Sequence, residues 1–199
     1  TLLISVHEDR RWPFTGALSE DGGGNVLNLP VPRGLNDTEM AAIRERLILP
    51  AVAAFAPDAI VLQCGADAVE EDPLSRLALS NNAHWNVLSG LMTLNAPRLL
   101  VLGGGGYNPW SVGRLWTGIW ARLNGHDVPE RLPTDAEDVL RALRWDRARA
   151  GRNPPEHWFT TLRDAPRHGP VRAEIMDRLS VLSTRPAASG RISDLLPQD

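Results

Sequence analysis

The sequence predicts an α/β fold, a mostly parallel sheet flanked by helices. Three observations carry that reading. Four short apolar runs, "TLLISVH", "NVLNLPV", "DAIVLQCG" and "RLLVLGG", read as strands, and helical patterns lie between them. The first, third and fourth runs are nearly continuous in Leu, Ile and Val, as expected of parallel strands covered on both faces. Strand and helix alternate along the chain, which implies layers joined by right-handed crossovers.

Each element has its own justification. Asn36 is placed to cap a helix, with Glu39 three residues later to close a capping box. Met40, Ile43, Leu47 and Phe55 then fall near one face. Ser80 is placed to cap a second helix running to about Leu94. Pro109 occupies a natural first-turn position for a third. There Val112, Leu115, Trp116, Ile119, Trp120 and Leu123 recur at helical spacing before Asn124-Gly125 stops the helix. From about His126 onward, prolines and arginines increase and strand patterns vanish. "EDVLRALRW" and "VRAEIMDRLSVL" read there as amphipathic helices. The expected organisation is a sheet-bearing body over residues 1–125, with a helical, Pro/Arg-rich extension over 126–199 packed on it.

Composition sets further bounds. A chain of 199 residues, 43% hydrophobic, is sized for one domain or one large piece of a domain. The net charge of -3 leaves no electrostatic footprint for nucleic acid. No apolar stretch approaches the roughly 20 residues of a membrane-spanning helix, and no signal peptide is evident, so the expected compartment is the cytoplasm. Cys64, the only cysteine, lies in an apolar run and is expected to be buried. Thr1 falls directly inside a strand-like run, so the chain is expected to be the C-terminal part of something longer.

Open α/β sheets bind ligands beyond the C-terminal ends of their strands. Two such ends stand out, "QCGADAVEEDPL" and "GGGGYNPW". The second is not a phosphate loop. That motif needs a lysine and a hydroxyl residue after its glycines, and the chain contains no lysine. A tight turn explains the glycines but not the tyrosine that ends them. Asp67 has the default reading of a helix cap or turn residue, and Glu70, Glu71 and Asp72 behind it that of a solvated cluster. Tyr107 could equally be a core tyrosine. An acid and a tyrosine on neighbouring strand ends shift the balance towards a site.

"IVLQCGADAVEEDPLSRLALS", followed by "RLLVLGGGGYNPWSVGRLWT", closely resembles the histone deacetylase family, and within it looks most like the bacterial acetoin-utilisation deacetylases. "ISVHEDRRWPFTGALSEDGGG" is similar to the family's Pro, Gly and Thr-rich turn and glycine-rich loop. "WPFTG" stands where the family usually has Phe-Pro-Gly-Thr-Gly, and keeps the aromatic-proline pair. The resemblance runs from residue 1 to about residue 125. It implies the C-terminal portion of an arginase/deacetylase-like fold.

It also implies a chemistry, that of zinc-dependent amidohydrolases removing acetyl groups from lysine side chains. By that resemblance Asp67 is one of three protein ligands to a catalytic zinc, iron(II) being the alternative metal. Tyr107 donates a hydrogen bond to the acetyl carbonyl and then to the oxyanion. Trp12 matches an aromatic wall of the acyl-lysine tunnel, Gly105 and Gly106 its floor, and Leu74 its rim. Polyamine-selective relatives can carry an acid at the rim, so leucine favours acyl-lysine. Ser5 and Val6 match contributors to a structural potassium site. The substrate would be an acetylated protein or a small acetylated amine.

The family's paired histidines and Asp-x-His segment have no counterpart here and are expected upstream of residue 1. His7, His84, His126, His157 and His168 are poor substitutes, so the chain alone is expected to lack activity. An amidohydrolase of acetylpolyamines or other small amides, and a non-catalytic interaction module, remain as alternatives.

Overall fold

The structure is a computed structural model and describes residues 1–145 and 153–189. The parts of the C-terminal extension at 146–152 and 190–199 lie outside the described residues. All four expected strands form: β1 (Leu3–Glu8), β2 (Val26–Val31), β3 (Ile60–Gln63) and β4 (Leu99–Leu102). They make two parallel pairs rather than one sheet. In the first, Leu3 sits opposite Val26 and Glu8 opposite Val31; in the second, Ile60 sits opposite Leu99 and Gln63 opposite Leu102.

The helices are α1 (Asp37–Ile43), α2 (Leu49–Phe55), α3 (Asn81–Met92), α4 (Pro109–Leu123), α5 (Thr134–Ala142), α6 (His157–Thr160) and α7 (Ala173–Ser183). The capping box at Asn36 is present: its side chain accepts from the Glu39 N–H at 3.0 Å, and Glu39 accepts from the Asn36 N–H at 3.1 Å. A π-helical turn, Arg44–Ile48, separates α1 from α2. Pro50 explains the interruption, since it has no N–H to donate to the preceding turn. None of these helices is long and apolar enough to cross a membrane.

Ser80 differs from expectation. It occupies the N-cap position of α3, but its side chain does not cap the helix. Its hydroxyl donates instead to Asp37, and the first helical N–H, that of Asn81, is taken by Asp164 at 2.9 Å. The cap therefore comes from the C-terminal extension. On α4, Leu115 and Ile119 are buried as expected, while Trp120 and Leu123 face solvent. Gly118 is buried in their place because the Trp85 ring fills the notch it leaves.

One core joins β1 and β2 to α1, α2 and α7, which contributes Ile175, Leu179 and Leu182. A second lies between α3 and α4 below the β3 and β4 ends, built on Trp85, Leu88, Leu115 and Ile119. Val128 and Leu162 belong to this second core, so residues beyond 125 enter both. Burial within this chain differs between the two strand pairs. β2 is the strand sealed on both sides, whereas Val61, Leu100 and Leu102 leave one side of the β3–β4 pair exposed.

Candidate active site

The two strand ends that stood out in the sequence lie side by side. Beyond β3, a 3-10 turn over Ala66–Ala68 carries Asp67; beyond β4, Gly103 to Gly106 lead into Tyr107. Main-chain hydrogen bonds lace the two loops together. The Cys64 N–H donates to the Leu102 carbonyl at 3.0 Å and the Ala66 N–H to the Gly105 carbonyl at 2.6 Å. From α4, the Trp116 indole N–H donates to the Cys64 carbonyl at 2.9 Å. Glycine is required for this approach. A Cβ at Gly105 would collide with the Asp67 carboxylate, and Gly106 adopts φ 148° with Val112 and Ala66 against it.

A cleft of about 1300 Å³ runs past these loops, lined among others by Ser5, Val6, Trp12, Asp67, Leu74, Gly105 and Tyr107. Gly106 is not in the lining; it packs behind, against Ala66 and Val112. Within this chain Tyr107 is 50% exposed. Its main-chain N–H donates to Asp72 Oδ2 at 2.7 Å. Leu74 is exposed at the edge of the cleft, and Trp12 stands out at 84% exposure on the loop after β1, close in sequence to exposed Phe14. Ser5 and Val6 lie on β1, where Val6 packs against the first core.

Burial, with the nearby Asp72 charge adding to it against the Asp67 main-chain N–H, pushes the Asp67 carboxyl above its usual range. No ion pair reaches Asp67 among the described residues. Cys64 is buried, and that burial raises its thiol to about 11, so it is an inert packing residue.

The histidines serve other ends. His7 bridges Ser5 and Gly16: its Nε2–H donates to the Gly16 carbonyl at 2.9 Å, which leaves Nδ1 to accept from the Ser5 hydroxyl at 2.9 Å in the neutral ring. His84, on α3, donates from Nε2 to the Gly65 carbonyl at 3.0 Å. Desolvation pushes its pKa down, so it supports the Asp67 turn as a neutral ring.

Glu71, His157 and Asp164 offer ligand-type atoms within 4.8 Å of one another. Among the described residues, this is the one such trio, and Asp67 is not in it. Its carboxylates already face guanidinium groups. Arg114 pairs with Asp164 at 2.5 Å with both side chains buried, and Arg167 pairs with Glu71 at 2.7 Å. Burial, then the Asp164 charge, push the Glu71 carboxyl up to about 7, while its own main-chain N–H and the Arg114 charge pull against that rise. The two carboxylates thus belong to ion pairs that tie the C-terminal extension to α4 and to the segment after β3.

Sequence reasoning passed over Asp72 as part of a solvated cluster, yet it is 6% exposed. The signal that could have marked it is the Asp-Pro pair at 72–73, a turn-initiating combination in which the carboxylate accepts nearby main-chain N–H groups.

Residues 1–123 match the family described as "Histone deacetylase domain". "Probable histone deacetylase 1-B" of Xenopus laevis is 35% identical over 137 residues, which cover 66% of this chain and 28% of that protein. "Histone deacetylase 9" of Arabidopsis thaliana is 33% identical over 138 residues, covering 66% of this chain and 32% of that one. An HDAC homologue from Aquifex aeolicus, whose crystal structure is known, superposes with a TM-score of 0.81 at 33% identity, over 92% of this chain and 50% of its own. A structure of an HDAC homologue complexed with SAHA gives a TM-score of 0.75 at 31% identity, over the same shares of the two chains. The chain thus spans about half the length of its solved relatives. With the glycine loop, its tyrosine and the aspartate turn lying inside the matched segment, the chain belongs to the histone deacetylase family.

Proposed function

We propose that this chain carries one side of the catalytic site of a zinc-dependent deacetylase that hydrolyses the amide of acetyl-lysine. The supporting observation is that Asp67 and an exposed Tyr107 line one cleft, joined by a glycine loop that keeps the space between them free of side chains.

Asp67 suits a metal ligand: its carboxylate is partly desolvated, and Gly65 and Gly105 leave it room. Asp67 would hold the ion, and the remaining ligands of a three-ligand catalytic site would come from outside the described residues. Iron(II) would suit the same oxygen donor. When bound, the ion would polarise the amide carbonyl and acidify a water molecule. Tyr107 would donate its O–H to the amide oxygen and keep donating as negative charge develops there. Trp12 would flank the acyl-lysine stem, Leu74 would give the rim an apolar surface, and Gly105 would form the floor with Gly106 packed behind it. Ser5 and Val6 would contribute to a structural potassium site. The acetoin-utilisation branch, a bacterial source and a cytoplasmic location belong to the same reading.

The test is Tyr107→Phe in the full-length protein. Turnover of an acetyl-lysine peptide is expected to fall about 10²–10³-fold, roughly 3–4 kcal/mol of barrier, with melting temperature and metal content unchanged. Near-normal turnover would end the assignment. Faster turnover of an acetylpolyamine than of the peptide by the unmutated protein would move the substrate class.

A further inference from the structure

We infer that Asp72 is a positioning residue that aims Tyr107 and sets the Leu74 rim through a single carboxylate. The inference rests on the proposed role of Tyr107. Asp72 Oδ2 accepts the Tyr107 main-chain N–H at 2.7 Å. Its other oxygen, Oδ1, accepts the N–H of Leu74 at 2.8 Å and that of Ser75 at 3.4 Å. The carboxylate is buried and pairs with no guanidinium among the described residues. Its acceptor capacity is therefore spent on main-chain donors from the two loops that border the cleft.

The geometry explains how an exposed tyrosine keeps a fixed direction. Gly103 to Gly106 supply no side-chain packing of their own, and the Tyr107 ring is half in solvent. The chain is held immediately on both sides of the ring. Asp72 grips the Tyr107 N–H, and Asn108, the N-cap of α4, accepts from Trp110 and Ser111 at 3.1 and 3.4 Å. The Asn108 side-chain N–H in turn donates to the Glu71 carbonyl at 3.3 Å, so the same acidic segment holds the loop twice. Charge-assisted bonds of this kind are short and about twice as strong as neutral ones. Asp72 links the donor at the cleft floor to the residue at its mouth, and a shift of one carries the other.

The experiment is a double-mutant cycle in the metal-loaded full-length protein, with Asp72→Asn as the isosteric variant and Asp72→Ala as the second. Asparagine keeps one acceptor oxygen but turns an N–H₂ towards a main-chain donor. Asp72→Asn is expected to lower kcat on an acetyl-lysine peptide by about 10²-fold, the scale of a misplaced catalytic group. Asp72→Ala is expected to fall at least as far, and KM to rise less than kcat falls. In a Tyr107→Phe background either substitution should cost little further turnover, since the aimed hydroxyl is already gone. Hydrogen exchange at the Tyr107 amide should accelerate while melting temperature and metal content hold. Full multiplication of the two losses, unchanged exchange at Tyr107, or loss of the fold in Asp72→Asn would each overturn the inference. If Tyr107→Phe itself retains turnover, it is the catalytic reading of Tyr107 that falls.

Discussion

The strand pairs β1–β2 and β3–β4 are both parallel and both rich in Leu, Ile and Val, but they are ordered by different means. β1–β2 draws order from burial: Leu27, Leu29 and Val31 are wholly inaccessible beneath α7 and the α1–α2 arm, while the loop after β1 leaves Trp12 and Phe14 in solvent. β3–β4 is the reverse. One side of its strands is open at Val61, Leu100 and Leu102, while the loops after it are laced by main-chain bonds, the Trp116 indole and the Asp72 carboxylate. The difference teaches that, within this chain, sheet burial is not what orders the candidate site. That order comes from loop-to-loop contacts that glycine makes room for and buried acids tie down.

The sharpest way to break that comparison is to truncate one leucine in each pair. Leu29→Ala opens a cavity in the first core and is expected to cost about 2–5 kcal/mol of unfolding free energy. In the 199-residue chain, Leu100→Ala, on the open side of β4, is expected to change stability by about 0.5 kcal/mol or less. Denaturant unfolding of the two variants measures the contrast, and equal losses would abolish the distinction.

A second test probes what ties α7 to the buried pair. Glu39 is fully buried, and burial alone would raise its pKa. The Arg172 side chain, whose Nε bonds one carboxylate oxygen at 2.6 Å, and main-chain donors from Asn36 and Arg172 outweigh that and hold it below 4.5. A depressed carboxylate stabilises the fold above its unfolded pKa, and that contribution is lost as pH falls below 4.5 towards the folded value. Glu39→Gln should therefore flatten the acid limb of the stability–pH curve, as read by melting temperature at pH 7 and pH 4. An unchanged acid limb would show that the pair is not coupled to folding.

Gly105→Ala is expected to act on the site more than on stability. The obstructed group is the end of the Asp67 side chain, which can swing aside, so unfolding free energy should change by about 1 kcal/mol or less, below the usual cost of overpacking. Metal content and turnover of the full-length protein should fall together, because the carboxylate leaves its place. A stable variant with full metal content would separate Asp67 from the metal.

By itself the sequence determined what acts over a few residues. Periodicity set the four strands and, in α4, the burial of Leu115 and Ile119, Asn36 and Glu39 closed their capping box, and Pro109 began α4. The glycine run, the aspartate turn and Tyr107 were legible too, and with them the family. Tertiary structure alone decided the rest. It capped α3 with Asp164 rather than Ser80, across a separation of 83 residues. Within this chain it sealed β2 more completely than β3 and β4, a difference the apolar runs do not carry. It drew Glu71 and Asp72 out of a cluster that reads as solvated and set Asp72 against the Tyr107 amide, 35 residues away. The physical reason is common to all three. Propensity and turn chemistry depend on near neighbours in the chain, whereas burial of a strand face or a carboxylate depends on which distant segment supplies the covering surface or the donor.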